Sequence, residues 1–236
     1  MTVTRKRSER IPLTRDRVLL GAMALADEDG IESLTMRRLA EQLGVEAMSI
    51  YHHLPNKNAI LDELSERVFQ EIEAEVGGFE VPAAGSPWVP TIRARILGAR
   101  RVMLRHRWVP GVMESRGVMT PTMIRYVDAI VGAMHAGGVS YDLIHHCLHA
   151  LGSTMFGFSQ ELMLDSDSPS GEDLTLMKDF VPHLAAMLED VVHDDPESTL
   201  GWCDDQFEFE FGLDLRLDGL ERRRGAAADS HASVAR

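Results

Sequence analysis

The sequence predicts an all-α protein, with an amino-terminal three-helix unit that contains a helix-turn-helix and a larger helical domain behind it. Apolar residues recur at helical spacing along most of the 236 residues, without the alternation that is typical of strands. Two short helical segments meet at Gly44, and a Gly- and Pro-rich stretch at 77–90 separates two parts of the chain. We therefore expect domains at 1–76 and 77–221, followed by a disordered tail at 222–236.

The first helix is expected to run from Thr14 to about Glu28. Thr14 is a good N-cap, because its hydroxyl can accept one of the unpaired N–H groups at the start of a helix. Gly30 follows the helix and is suited to end it. The inner stripe consists of Val18, Ala22, Leu25 and Ala26.

The segment 35–57 predicts two short helices joined by a tight turn. Thr35 caps the first helix, and Gly44 can take the left-handed conformation that ends it. The second helix covers 46–53 and is stopped by Pro55. Its outward residues are Ala47, Met48, Ser49 and His52. This pattern is typical of a helix-turn-helix, whose second helix fits the major groove of DNA, although geometry alone also allows an ordinary helical hairpin.

A connecting helix follows, capped by Asn56. Its apolar residues repeat every four positions, at Ile60, Leu64, Val68 and Ile72. The helix leaves the three-helix unit and ends before Gly77. It is therefore placed to act as a lever between the two domains.

The sequence pattern of the second domain predicts six further helical segments. They are expected at 90–104, 109–115, 121–136, 140–164, 172–192 and 206–221, the fifth interrupted near Pro182.

The last of these segments is apolar on more than one side and must be covered on more than one side. The residues concerned are Phe207, Phe209, Phe211, Leu213, Leu215, Leu217 and Leu220. The segment 140–164 offers a matching surface through Ile144, Leu148, Leu151 and Met155. Paired across a two-fold axis, these two helices would form a four-helix dimer interface, and burial within a monomer is the alternative.

Composition limits the class of protein. The net charge is −13, but residues 1–57 carry +1 and residues 58–236 carry −14, so only the amino-terminal part is suited to approach phosphate. Two distant cysteines predict a reducing compartment without a disulfide framework. The sequence contains neither a membrane-span pattern nor a signal-peptide pattern, so we expect a cytoplasmic protein. We find no catalytic constellation and do not expect an enzyme.

The run from Asp29 to Lys57 resembles the DNA-binding signature of the tetracycline-repressor (TetR-like) family. The resemblance rests on Gly30, Thr35, Arg37, Leu39, Ala40, Leu43, Gly44, Val45, Tyr51, His53 and Lys57. The later segments HAGGVSYDLIHHCLHALGSTMFGF and FEFGLDLRLDGLE resemble the ligand-binding domain of the tetracycline-repressor branch. The resemblance implies that 1–76 is a DNA-binding domain with its connecting helix and that 77–221 binds a ligand and forms the dimer.

The resemblance also implies roles for individual residues in DNA binding. Positions that hold phosphate oxygens match Thr35, Tyr51, His53 and Lys57. Arg37 matches a position that reads a guanine edge. The reading positions of the second helix match Ala47, Met48, Ser49 and His52. Since that helix offers no Arg, Lys, Asn or Gln, the predicted readout is apolar contact with thymine methyl groups together with Arg37.

The second domain has the composition of a pocket for an apolar or aromatic molecule, since Met adapts to irregular cavities. The candidate lining is Met103, Trp108, Met113, Met119, Met123, Tyr126, Met134, His145, His149, Phe156 and Phe158. His145 and His149 are expected to line this pocket, and a core position or a metal site is the alternative. Magnesium-tetracycline is a poor candidate effector, because no His occurs between His106 and His135, where the tetracycline-repressor branch has a magnesium-binding His. No cofactor or metal is predicted.

We therefore predict a homodimeric transcriptional repressor whose partners are an operator in double-stranded DNA and a small-molecule effector, with no membrane partner. The main alternative is a small-molecule sensor that acts through a protein partner without sequence-specific DNA binding. An enzyme on a helical scaffold is a remote third reading.

Overall fold

The computed structural model of the chain describes residues 12–157, 178, 180–190 and 205–234. Every regular element within these ranges is helical, which confirms the predicted all-α class. The helices are α1 (Arg15–Asp29), a 3₁₀ turn (Ile31–Ser33), α2 (Met36–Leu43), α3 (Ala47–Tyr51), α4 (Lys57–Glu75), α5 (Trp88–Arg105), α6 (Val109–Arg116), α7 (Pro121–Ala136), α8 (Tyr141–Gly157), α9 (Pro182–Asp190) and α10 (Asp205–Val234). None of the described helices is long and apolar enough to cross a lipid bilayer.

The starts of α1, α2 and α4 are fixed by the caps that the sequence predicts. Thr14 Oγ1 accepts a hydrogen bond from Arg17 N at 3.1 Å, and Thr35 Oγ1 accepts one from Arg38 N at 3.1 Å. Asn56 Oδ1 accepts from Ala59 N at 2.9 Å. Each cap satisfies an otherwise unpaired N–H group and sets the residue at which the helix begins.

The turn between α2 and α3 has the left-handed geometry predicted at Gly44, with φ 67° and ψ 38°. Val45 N donates to Ala40 O at 3.0 Å, and Arg17 of α1 donates to Leu43 O at 3.0 Å. These bonds satisfy carbonyls that the end of α2 leaves unpaired. The angle between the two short helices is therefore set by the backbone and by a side chain of α1.

Packing divides the chain into two compact units, 1–86 with 94–136 and 87–93 with 137–236. In the first unit, α4 packs against α1, α6 and α7, with Val68, Phe69 and Ile72 buried. Helices α6 and α7 therefore share a compact unit with the helix-turn-helix. The division of function at residues 76 and 77 stays a prediction.

The start of α7 is capped from α4. Glu66 accepts hydrogen bonds from Thr122 N at 3.1 Å and from Thr122 Oγ1 at 2.5 Å, while Thr120 Oγ1 accepts from Met123 N at 3.3 Å. Burial raises the pKa of Glu66, but the hydrogen bonds, mainly those from Thr122, outweigh burial and leave this pKa below its ordinary value of 4.5. The cap therefore works best when the Glu66 carboxyl is ionised.

The Glu66 cap should give the fold a measurable sensitivity to acid. Because the pKa of Glu66 is lower in the folded chain than in the unfolded chain, its stabilisation is present above pH 4.5 and is lost as the pH falls through the folded-state value. Glu66→Gln should therefore lower the melting temperature at pH 7 and flatten its decline at acid pH. Thermal unfolding followed by circular dichroism from pH 7 to pH 3.5 would measure this. Glu32→Gln, at an exposed position, is the matched control, and equal declines in all three proteins would contradict the role of Glu66.

In the second unit, α8 packs against α10 and the first turn of α5 lies beside α10. Arg93 Nε donates to Asp214 at 2.7 Å and Arg93 Nη2 to Glu210 at 2.5 Å. Trp88 Nε1 donates to Glu221 at 2.7 Å. The side chains that fill the interior are Ile144, Cys147, Leu151, Phe209, Leu213 and Leu217.

The sequence predicted a disordered tail at 222–236, but in the structure α10 continues to Val234. Arg224 Nε donates to Glu221 at 2.8 Å, one turn back along the helix. The alanines at 226–228 are strong helix formers. The residues from Arg222 to Val234 therefore extend the last helix.

Candidate nucleic-acid interface

Helix α3 is anchored by Ile50, and of the predicted reading residues Met48 and His52 lie on the side away from this anchor. Ile50 is fully buried, while Met48 is 69% exposed. Ala47 and Ser49 are half-buried, and His52, directly after α3, is exposed. A helix only five residues long is held by this anchor and by the α2–α3 turn. The apolar part of its outer surface that is open to solvent is the side chain of Met48.

The predicted phosphate-binding residues lie at the starts and ends of these helices. The Thr35 hydroxyl already accepts from Arg38 N, but its own proton remains able to donate to a phosphate oxygen. Lys57, the first residue of α4, donates to Ile31 O at 3.4 Å and retains further N–H donors. Tyr51 is exposed and His53 is half-buried. Two helix N-termini, at α2 and α4, thus present backbone N–H groups of the kind that favour anions.

Arg37 is the most open cation of the helix-turn-helix, with its side chain 90% exposed. Its Nε lies 3.0 Å from Glu41 Oε1, one turn further along α2. A bidentate contact with guanine can use the two Nη groups, and the ion pair uses Nε instead. Glu41 is therefore placed to orient Arg37 without occupying its outer fork, a relation that the sequence analysis missed although the i,i+4 spacing was visible.

Helix α4 is held to α5–α7 by its acidic side chains. Asp62 accepts two hydrogen bonds from Arg116, both at 2.9 Å, and these hold the pKa of Arg116 above its ordinary value. Glu73 accepts from Arg125 at 2.7 Å, and Glu75 accepts from Arg101 at 2.8 Å. The sequence analysis found the apolar stripe of α4 but not this polar contact surface.

A buried histidine joins three parts of the first unit. His106 Nδ1 lies 2.8 Å from Asp27 Oδ1 of α1, and His106 Nε2 lies 3.1 Å from Glu71 Oε2 of α4. Trp108 Nε1 donates to the same Asp27 oxygen at 2.7 Å. The turn between α5 and α6 therefore contacts both α1 and the connecting helix α4.

Replacing His106 with alanine should reduce the stability of the fold. The change would remove the imidazole contacts of Asp27, which keeps its bond from Trp108, and of Glu71, which keeps its ion pair with Arg105, at an expected cost of about 1 to 3 kcal/mol in the free energy of unfolding. Urea denaturation would measure the loss, and a double-mutant cycle with Glu71→Gln would isolate the pair. His183→Ala, at an exposed histidine, is the control. Additive effects of the two substitutions would argue against a coupled contact.

The predicted pocket residues fall into separate groups. In the first unit Met103, Trp108, Tyr126 and Met134 are buried, Met113 and Met123 are half-buried, and Met119 is exposed. Tyr126 contacts the rings of Phe69 and Phe79, with ring centroids 6.2 and 5.5 Å from its own, and its hydroxyl donates to Arg95 O at 3.4 Å. His145 and His149 belong to the second unit and are exposed. The side chain of Phe156, and Phe158 as a whole, lie outside the described residues.

Arg95 is a buried cation that the sequence analysis missed. Its guanidinium donates to Ala129 O at 2.7 Å and to Glu80 O, and burial lowers its pKa. The arginine thereby ties α5 to α7 and to the segment before α5. Its sequence context, amid other arginines, gave no signal that this one is buried.

Two family models of bacterial regulatory proteins match the sequence of this chain. Residues 18–64 match the family model described as bacterial regulatory proteins, tetR family, and residues 81–224 match the tetracyclin repressor-like C-terminal domain. The chain is 28% identical over 229 residues to the HTH-type transcriptional repressor DrrR1 of Streptomyces coeruleorubidus, covering 92% of this chain and 82% of that protein.

Solved structures show the same fold. A possible TetR family transcriptional regulator from Streptomyces coelicolor A3(2) superposes with a TM-score of 0.67 at 26% identity, covering 88% of this chain and 98% of that one. The Streptomyces coelicolor TetR family protein ActR, solved in complex with (S)-DNPA, gives a TM-score of 0.66 at 24% identity, covering 89% and 98% of the two chains. At that identity the likeness to ActR concerns the fold alone.

Proposed function

Because the chain belongs to the tetR family of bacterial regulatory proteins, we propose that it is a ligand-responsive repressor that binds a palindromic operator as a homodimer. The observation that carries the DNA-binding part is the anchored helix α3, whose outer surface is open beside the exposed Arg37. An α-helix so presented fits the major groove.

In the proposed complex, phosphate contacts set the register and base contacts give the sequence preference. Thr35, Tyr51, His53 and Lys57 supply the phosphate contacts. Arg37 reads guanine, and the apolar surface of α3 contacts thymine methyl groups. The weak polar character of α3 makes Arg37 the main source of hydrogen-bonded readout.

The proposed dimer interface is formed by α8 and α10. Helix α10 is apolar on two sides, and Phe209, Leu213 and Leu217 are buried within the unit. On the other side Phe211 is 54% exposed and Leu215 is 56% exposed, one turn apart. A second copy would remove these side chains from water. Such a dimer would present two copies of α3 to half-sites about 34 to 36 Å apart.

The proposed effector is a small apolar or aromatic molecule bound by the second domain. Binding of the effector would cause the protein to release DNA through a movement of α4. The ion pairs of Asp62, Glu73 and Glu75 hold this helix to α5–α7. A ligand shifts DNA affinity only if it binds the two states unequally, with a coupling of roughly 1 to 3 kcal/mol. The ActR complex offers an example of a small molecule bound to a protein of the same fold.

A second candidate function is a sensor that acts through a protein partner without reading DNA sequence. It is favoured by one observation, namely that α3 carries no Arg, Lys, Asn or Gln side chain to donate to base edges. Glu46, which precedes α3 and is exposed, would also oppose close approach to phosphate.

A mobility-shift experiment separates these functions. The full chain would be titrated against DNA that flanks its own gene and against shuffled DNA of the same composition, at a stated salt concentration. Tighter binding to the flanking DNA, focused on a palindromic footprint, supports the repressor. Equal and weak binding to both DNAs would favour the sensor.

A further inference from the structure

The segment that follows α4 leaves the helix in a fixed direction. Helix α4 ends in a Schellman motif, in which Gly77 N donates to Ala74 O at 3.3 Å and Gly78 N donates to Glu73 O at 2.9 Å. Gly77 and Gly78 have φ values of 74° and 100°, a region that glycine enters without steric cost. We call residues 76–86, which include these two glycines, the strap. The strap therefore begins at a defined place on the end of α4.

The strap follows α7 toward its carboxyl end. The ring of Phe79 meets the buried ring of Tyr126 at an interplanar angle of 63°, with the two centroids 5.5 Å apart. This is the edge-to-face arrangement that aromatic pairs prefer. Gly85 N donates at 2.7 Å to the carbonyl of Ala136, the last residue of α7. The strap is therefore attached to α7 both within the helix and at its end.

Between these attachments a buried cation holds the strap. Arg95 of α5 is 7% exposed, and its guanidinium donates to Ala129 O of α7 at 2.7 Å and to Glu80 O of the strap. Hydrogen bonds from an ionised donor are stronger than those between neutral groups. Opening of the strap would take one acceptor away from a guanidinium that lies largely out of water, which is unfavourable. Arg95 therefore favours the closed strap.

Two glycines of the neighbouring helices make room for the strap. A Cβ built on Gly98 of α5 would lie 2.6 Å from Val76 Cγ1, and one built on Gly132 of α7 would lie 2.6 Å from Val81 Cγ2. Neither glycine has a positive φ, and alanine is the better helix former at such positions. The close approach of the strap therefore accounts for glycine at both places.

We propose that the strap restrains α4, so that the strap must open before the carboxyl end of α4 can leave α5 and α7. Glu75, the last residue of α4, accepts a hydrogen bond from Arg101 of α5 at 2.8 Å, directly before the strap begins. The ion pair and the strap thus hold the same end of the helix, and contiguous contacts of this kind open together. The movement of α4 rests on the proposed function, whereas the restraint rests on the contacts of the strap.

Proteolysis of the folded full chain with chymotrypsin measures opening, because cleavage after Phe79 requires the strap to leave α7. Gly132→Ala should raise the rate of this cleavage at least about tenfold, since the added methyl group overpacks the contact with Val81. Gly132→Ala combined with Val81→Ala should return the rate to within about twofold of the natural chain, because Val81 Cβ lies at an ordinary 3.6 Å from the added atom. Gly111→Ala is the matched control, since its Cβ would meet nothing within 4 Å.

Hydrogen exchange followed by mass spectrometry measures the effect on α4 without DNA. Gly132→Ala should speed exchange in residues 72–78 and leave α1 unchanged, and the double variant should restore the natural rate. Gly98→Ala, alone and with Val76→Ala, repeats the test at the other glycine. Circular dichroism would establish that each variant is folded, and cleavage rates would be divided by those of the denatured chains.

The outcomes separate the strap from the proposed function. Equal cleavage after Phe79 in the natural chain and in all the glycine variants would overturn the proposal. Faster cleavage with unchanged exchange at the end of α4 would overturn it as well, because the strap would then not restrain the helix. Failure of the natural chain to bind DNA would contradict the repressor, while the cleavage and exchange results would still decide whether the strap restrains α4.

Discussion

Replacing Arg37 with alanine should abolish most of the preference of this protein for its operator. A bidentate contact between arginine and guanine discriminates by about 1 to 3 kcal/mol, and a dimer makes it in both half-sites. The expected loss of specific affinity is therefore roughly 30-fold to 10⁴-fold. The side chain is exposed and is not part of the core, so the free energy of unfolding should change little.

The Arg37 prediction is checked by binding titrations on the operator and on operators changed at single positions. The variant should bind more weakly to the operator and should no longer distinguish one base pair in each half-site. Lys57→Ala provides a contrast, because losing a phosphate contact should weaken binding to all sequences alike and reduce the salt slope by about one. Arg107→Ala, which removes an exposed arginine outside the helix-turn-helix, controls for charge. An equal loss on operator and random DNA would show that Arg37 contacts phosphate instead.

The caps of the amino-terminal helices were predictable because they are local. Thr14, Thr35 and Asn56 each bond a backbone N–H three residues further on, and Gly44 adopts its left-handed conformation within the same turn. The burial of Ile50 followed from helical periodicity. Sequence spacing is sufficient for contacts of this range.

Contacts between distant residues were not predictable in the same way. Glu66 caps α7 from 56 positions away, and His106 meets Asp27 from 79 positions away. Neither relation leaves a periodic signal, because each depends on how elements distant in sequence pack against one another. The same reason explains the pocket candidates: a Met-rich composition predicted a cavity, but it did not predict that Met119 is exposed while Met134 is buried.

The two sides of α10 show what periodicity can and cannot predict. The excess of Phe and Leu predicted that this helix is covered on more than one side. Burial then distinguishes the sides, since Phe209 and Leu213 lie inside the unit while Phe211 and Leu215 are more than half exposed. The sequence alone does not distinguish the side of α10 that packs inside the unit from the side that faces outward. The exposed side is the one that a second copy would cover.

Replacing Phe211 with glutamate should convert the proposed dimer into monomers and remove high-affinity DNA binding. The new carboxylate would lie in an apolar interface next to its own copy, where burial of an unpaired charge is unfavourable. A monomer contacts one half-site, so the gain from joining two modules, roughly 10² to 10⁴ in affinity, would be lost. Sedimentation analysis would measure the oligomeric state, and mobility shifts would measure the affinity.

The monomer should still fold after this change, because Phe211 lies on the exposed side of α10. The buried side of the helix, with Phe209 and Leu213, is unchanged. Phe180→Glu is the matched control: Phe180 is 86% exposed, so the same substitution there should leave both dimer and affinity intact. A Phe211→Glu variant that sediments as a dimer would contradict the proposed interface. A variant that is monomeric yet still binds the full palindrome tightly would separate dimer formation from DNA binding, because each chain would then find its half-site without the help of a partner.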